Sequence, residues 1–125
     1  VPVLRGDTAL ADLRLDKIAV LKIDVEGAEL DVLRGLPDTL RLWQPPVMFE
    51  VLPNFFGAER KPIDARLAAE HNQRAEAIFD FFTTQGYSIH QVDKAGAWSP
   101  IGAFRLDDRE GFVTWDYLAL PNKDK

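Results

Sequence analysis

Eight consecutive residues constrain this chain more than any others. Residues 18–25 read IAVLKIDV, a nearly continuous apolar run broken by one lysine and ended by an acid. Such a run predicts a strand covered on both faces. Glu26 and Gly27 follow, and then a short helix over residues 26–34. Its first turns crowd Glu26, Glu29 and Asp31, where the macrodipole favours negative charge. Leu30 and Leu33 share one face. Gly35 stands where a left-handed glycine closes a helix, and Pro37 stops continuation. Residues 39–43 add at most one more helical turn.

The remaining segments fit the same pattern. After Pro45 and Pro46, VMFEVL over residues 47–52 reads as a second buried strand. Residues 53–62 read as a loop that exposes aromatic side chains. A long helix is expected over residues 63–85, because Leu67, His71, Ala75, Ile78, Phe79 and Phe82 recur at three and four positions. Gly86 closes it. Residues 87–92 alternate as a strand with one wetter face. Residues 93–110 read as a loop around Trp98, and residues 112–121 as the closing strand. At the start, residues 1–4 suggest a short strand, and Asp7 or Thr8 an N-cap for a helical turn carrying Leu10 and Leu13. Strand–helix alternation predicts an α/β sheet, mostly parallel, with the last pair antiparallel. In such sheets ligands lie beyond the carboxyl ends of the strands. Asp24, Glu26 and Glu50 all stand there.

Composition narrows the functions. At 125 residues the chain is one domain or part of one. Its net charge of −5, with scattered Lys and Arg, argues against nucleic acid or an anionic membrane as partner. No run of apolar residues is long enough to span a bilayer. The chain has no cysteine, which excludes disulfides and thiolate chemistry. That fits a reducing compartment, so a cytoplasmic location is expected. No signal peptide is visible. The chain opens on Val1 rather than Met, so an N-terminal portion is expected to be missing.

Each candidate residue has a plain reading beside a functional one. Glu29 and Asp31 are explained by the helix dipole alone. Asp24 is harder to explain, because it directly follows an apolar strand. Asp24, Glu26 and Glu50 suit a hard divalent cation if they converge, but their spacing is not diagnostic. Gly27 has a backbone reason, since a tight strand-to-helix turn tolerates no Cβ clash. Lys22 either pairs with a carboxylate or covers a sheet edge. His71 reads as a core or boundary histidine and His90 as solvent-facing. With two histidines and no cysteine, a zinc site is not expected. The loop aromatics Phe55, Phe56 and Trp98 either line a pocket or fold back onto the core.

Two resemblances bear on function. "IDVEGAE" approaches the D-x-D-G-T strand end of the haloacid-dehalogenase-like phosphatases, with Asp107 and Asp108 as a late acidic pair. It departs at Glu26 and at Ala28. By contrast, LKIDVEGAELDVLRGL closely resembles the central motif of the FkbM-type S-adenosylmethionine-dependent methyltransferases, K-I-D-V-E-G-A-E followed by V-L-x-G. Every motif position is present from Lys22 to Gly35. "PPVMFEV", "FDFFTTQGYSIHQV" and "WDYLALP" resemble the strands and helix that follow in that family.

The resemblance implies a Rossmann-like class I methyltransferase fold, of which residues 1–125 are the C-terminal half. The fourth, fifth, seventh and sixth strands would lie in that spatial order, the seventh antiparallel. The glycine-rich turn that holds the cofactor has no counterpart here, so the chain alone is expected to be inactive. The implied activity is O-methylation of a hydroxyl on a small molecule or sugar, with S-adenosylmethionine as cofactor. Asp24, Glu26 and Glu50 are the implied catalytic residues. Asp24, Val25 and Gly27 would lie against the cofactor, and Glu29, Asn54, Phe55 and Trp98 against the acceptor. A metal-dependent phosphatase-like domain and a non-catalytic α/β binding module are the alternatives. The fourth strand would be left as an apolar edge, a pairing hazard. Either a homodimer forms through it or residues 1–4 pair along it.

Overall fold

The computed structural model describes residues 2–108 and 116–122. Its elements run α1 (Gly6–Asp12), β1 (Leu21–Ile23), α2 (Glu29–Arg34), α3 (Pro37–Trp43) and β2 (Val47–Glu50). They continue with β3 (Phe55–Phe56), β4 (Lys61–Pro62), α4 (Ala65–Thr84), β5 (Tyr87–Val92), β6 (Trp98–Pro100) and β7 (Asp116–Pro121). A five-stranded sheet has the order β1-β2-β7-β5-β6, and β3 and β4 form a separate two-stranded hairpin. The fold is mixed α/β. Residues 112–115 of the expected closing strand, and Val1, lie outside the described residues.

β1 and β2 pair in parallel, with Ile23 opposite Phe49. The other pairings are antiparallel, so the sheet is not mostly parallel by neighbours. The reason is β7. It inserts between β2 and β5 and runs against both. β1, β2 and β5 therefore still point the same way.

Strand alternation sends Ile23, Val47, Phe49, Tyr87, Ile89, Tyr117 and Ala119 to one face, where all are buried. Against them pack Leu30 and Leu33 of α2, Leu40 of α3, and Ala75, Ile78 and Phe82 of α4. Phe49 is the hub, with its ring centroid 5.0 Å from Phe82 and 5.8 Å from Tyr117. Burying each such side chain contributes roughly 1.5–3 kcal/mol. Tyr87 keeps its hydroxyl satisfied by donating to the Pro45 carbonyl at 2.9 Å.

Among the described residues, the opposite face is only partly covered. Lys22, Met48 and Asp116 are exposed, and Glu50, Ser88, His90, Val92, Leu118 and Leu120 are half-buried. The expectation that residues 18–25 are covered on both faces is thus corrected: Val20 is also exposed. α2, α3 and α4 all contribute buried apolar residues to the same core, so among the described residues these three helices pack on one side of the sheet.

Other boundaries shift for identifiable reasons. α4 starts at Ala65, because the Asp64 carboxylate accepts from the backbone N–H groups of Arg66 (2.9 Å) and Leu67 (3.3 Å) and caps it. Pro37 begins α3 instead of only ending α2, as the first helical turn tolerates a missing N–H. Gly35 has φ −89°, so it is not a left-handed cap. A Cβ there would meet Gly6 N at 3.2 Å, and Gly35 O accepts from Asp7 N at 2.8 Å. Glycine serves close backbone approach. Asp7 does not cap its own helix. Its carboxylate reaches α3, accepting from Asp38 N, Thr39 N and Thr39 Oγ1 at 3.0, 2.9 and 2.7 Å. Residues 2–4 are exposed and form no strand, so they do not pair along β1.

Candidate functional site

The site begins where β1 ends. Glu26 (φ +48°) and Gly27 (φ +105°) are both left-handed, so the chain reverses in the manner of a type I′ turn, with Ala28 N donating to Val25 O at 3.4 Å. The helix expected from residue 26 therefore starts at Glu29. A left-handed glutamate is costly, and such strain persists only where surroundings hold it. Two side chains hold it here. Glu29, only 3% exposed, accepts from Gly27 N at 3.0 Å and Val25 N at 3.4 Å. From α4, Arg74 Nη1 donates to Gly27 O at 2.8 Å. Glu29, expected against the acceptor, is thus a buried brace of the turn.

The turn presents Asp24, Val25 and Glu26, all exposed, at the carboxyl end of β1. The register carries Asp24 beside Glu50, one position beyond the Ile23–Phe49 pair. Glu50 lies directly opposite Asp116 on β7. Three neighbouring strands therefore place three carboxylates along one edge. Burial raises the pKa of Glu50 above the usual carboxylate value, and the charges of Asp24, Asp116 and Glu29 raise it further. Lys22 partly offsets them. Among the described residues, no group of three or more His, Cys, Asp or Glu side chains is arranged to hold a metal ion.

The expected acceptor residues divide. Asn54 is 4% exposed and ties segments together. Its Nδ2 donates to Asn72 Oδ1 (2.9 Å) and Asp107 Oδ1 (3.0 Å). Its backbone N–H donates to Leu106 O at 2.8 Å, and its carbonyl accepts from Ile63 N at 3.0 Å. Phe55 is buried on β3, with the Arg60 guanidinium 6.0 Å from its ring centroid, whereas Phe56 is exposed. Trp98 is exposed but sits on β6, in a hairpin with β5, and not in a loop. His71 and His90 are both half-buried with Nδ1 shielded from solvent, so His90 is not simply solvent-facing.

Sequence reading missed Asp116. Its position in the closing strand gives no hint of function until β7 is known to run antiparallel beside β2, which brings its first residue to the carboxyl ends of the other strands. It also missed the cleft beyond β5, lined in part by Gln91, Arg105 and Tyr117.

A sheet with a braced, left-handed turn after one parallel strand and a carboxylate row across its neighbours makes an α/β domain whose candidate site is the carboxyl edge. Residues 1–89 match the methyltransferase FkbM domain, and the chain belongs to that family. No curated protein and no solved structure matches the chain. The matched region contains Asp24, Gly27, Glu29, Glu50 and Asn54. It ends within β5, so β6, β7 and the cleft lie beyond it. Among the described residues, no helix is long and apolar enough to cross a membrane.

Proposed function

We propose that the carboxyl edge of this sheet is the methyl-transfer site of an S-adenosylmethionine-dependent O-methyltransferase acting on a hydroxyl of a small molecule or sugar. The observation that carries the reading is the family match over residues 1–89, which includes the motif whose turn presents Asp24 beside Glu50. It favours methyl transfer over the phosphatase-like and binding-module alternatives. S-adenosylmethionine supplies an electrophilic methyl group on a sulfonium cation. The acidic edge fits that group in sign, because the strand register sets Glu50 opposite Asp116 and next to Asp24.

In this reading Asp24, Val25 and Gly27 border the cofactor. Asp24 orients the acceptor hydroxyl, and Glu50 accepts its proton, a role that a raised pKa suits. Glu26 flanks them at the tip of the turn. Fixing the acceptor oxygen in line is the larger part of the work, since orientation alone can supply several kcal/mol. Among the described residues, the edge of β1 opposite β2 pairs with no strand. We assign that edge to the cofactor-binding half of the protein, with residues 1–125 as the C-terminal half of the domain. Without that half, the same edge pairs two copies of the chain. A monomer by light scattering, with β1 amides exchanging freely, would refute the pairing.

The test of the function is Asp24→Asn in the full gene product, assayed by transfer of labelled methyl from S-adenosylmethionine to hydroxylated acceptors. Turnover should fall by at least roughly a hundredfold, the scale of a lost general-base or positioning contact, with the unfolding midpoint unchanged. Unchanged turnover overturns the assignment.

A further inference from the structure

Behind the turn that presents Asp24 lies a small hollow of about 20 Å³. Gly27 and Glu29 line it from the turn, Leu52 from beyond β2, and His71, Arg74 and Ile78 from α4. The three helical residues stand at i, i+3 and i+7, so they share one face of α4. Two polar groups of the lining have bonding capacity to spare. Glu29 Oε1 accepts from Val25 N and Oε2 from Gly27 N, whereas a carboxylate offers about four lone-pair sites. His71 Nδ1 is shielded from solvent and has no hydrogen-bond partner among the described residues. Arg74 is held in place by its bond to Gly27 O.

A buried nitrogen without a partner is costly, and most such atoms find one in protein or in ordered water. The size of the hollow selects the partner. One water needs about 10–15 Å³ of such space and two to four polar contacts. The hollow meets the first requirement and admits little that is larger. Glu29, His71 and Arg74 meet the second. A water suits His71 in either neutral tautomer, because it donates to a bare Nδ1 and accepts from a protonated one. The Glu29 carboxylate only accepts, and the water has an O–H to give it.

We infer that this hollow is a one-water site, and that the water, held between His71 Nδ1 and the Glu29 carboxylate, makes His71 a positioning residue for Asp24. The chain of contacts is short. α4 fixes Glu29 through the water, Glu29 fixes the amides of Gly27 and Val25, and the turn they close fixes Asp24 at the end of β1. His71 acts through Glu29 and needs no contact with cofactor or acceptor. The inference rests on the methyl-transfer reading only for the consequence at Asp24; the water and the brace are read without cofactor or turnover.

The test joins a crystal structure of the full chain, at a resolution that shows ordered water, to three variants. The structure should hold one water within about 2.7–3.2 Å of both the Glu29 carboxylate and His71 Nδ1. A side-chain amide on Asn reaches where Nδ1 stands, and one on Gln where the other ring nitrogen stands. His71→Asn should therefore keep the brace, and His71→Gln and His71→Leu should lose it. Amide exchange at Gly27 should quicken by roughly five- to tenfold in the latter two, relative to the buried mid-helix amide of Phe82. A merely structural loss would quicken both amides together. In the full gene product kcat should fall by roughly tenfold or more in His71→Leu with KM unchanged, and His71→Asn should restore most of it. The parent structure decides the water site even where a variant fails to fold. No water joining the two groups, a Gly27 amide that quickens no more than that of Phe82, or His71→Asn no better than His71→Leu overturns the inference. So does an unchanged kcat in His71→Leu where Asp24→Asn lowers it. If Asp24→Asn also leaves turnover unchanged, it is the methyl-transfer reading that has failed, and the water and the exchange rates alone decide the brace.

Discussion

Replacing Gly27 by alanine tests whether the turn that presents Asp24 is held as described. Two costs arise. The first is conformational: at φ +105° an L-residue is disfavoured by roughly 1–2 kcal/mol. The second is contact: the new Cβ would lie 3.3 Å from Arg74 Nη1 and 3.9 Å from Leu52 Cδ1. Arg74 is exposed and can move, but moving it gives up the 2.8 Å hydrogen bond to Gly27 O, worth about 1 kcal/mol. Together Gly27→Ala should cost roughly 2–3 kcal/mol, or about 10 °C in unfolding midpoint for a domain of this size. Urea denaturation of Gly27→Ala, Arg74→Ala and the double variant separates the terms. With the guanidinium gone the Cβ has room, so the double variant should cost about 1 kcal/mol less than the sum of the singles. Gly102→Ala is the control, since its Cβ meets nothing and its φ is not positive; it should stay within about 0.5 kcal/mol of the parent. A Gly27→Ala protein as stable as the parent would refute the account of the turn. Strict additivity with Arg74→Ala would remove the contact term alone.

Three further outcomes are expected. Glu50→Gln should stabilise the chain at neutral pH by about 0.5–1 kcal/mol, the scale of relieved like-charge strand pairs. Because the folded state raises the Glu50 pKa, the parent loses stability as pH rises through the carboxylate range, so the gain should vanish in acid; thermal melts across that range check both. Asp7→Ala should cost about 1–2 kcal/mol through the lost cap on α3. Burial alone would raise the Asp7 pKa, but the Thr39 hydroxyl and the Thr39 and Asp38 amides outweigh it and lower it. Its contribution is therefore present above the ordinary aspartate range and lost as pH falls through the depressed folded value, and the variant's penalty should shrink there in urea titrations. Finally, Tyr87 and Tyr117 are the chain's two tyrosines, and burial pushes both up to about 12. Phenolate absorbance should stay absent near pH 10 while the chain is folded, and stability should fall as pH rises from there toward about 12.

The legible parts of the sequence were those where one local pattern decides. The long helix shows in the spacing of Ala75, Ile78 and Phe82, and its start is off by two residues only because Asp64 caps it. The strands over residues 21–23 and 47–50 show as apolar runs ending in acids. Several other readings erred because the deciding partner was remote in sequence. Gly35 looks like a helix cap until the Gly6 backbone is seen against it. Asp7 looks like the cap of its own helix until Thr39 is found above it. The two-sided burial expected of residues 18–25 depends on where α2 and α4 lie, which periodicity cannot encode. The carboxylate row was legible at Asp24 and Glu50 as acids at the ends of apolar strands, and illegible at Asp116, whose place comes from the direction of β7. Phe55 and Asn54 are both buried, and the sequence does not distinguish such packing from ligand contact.

The place of β7 has a consequence for how the sheet is assembled. β2 and β5 are neighbours only through a strand that comes later in the chain than either. Until residues 116–121 arrive, each presents a bare edge, and the carboxylate row lacks its third member. Contacts between segments so far apart in sequence are slow to form. A growing chain therefore completes α4 and its apolar face well before it completes the sheet. Cutting the chain ahead of β7 would not shorten the sheet by an outer strand. It would split it down the middle, leaving two strand edges with a strong tendency to pair with other molecules.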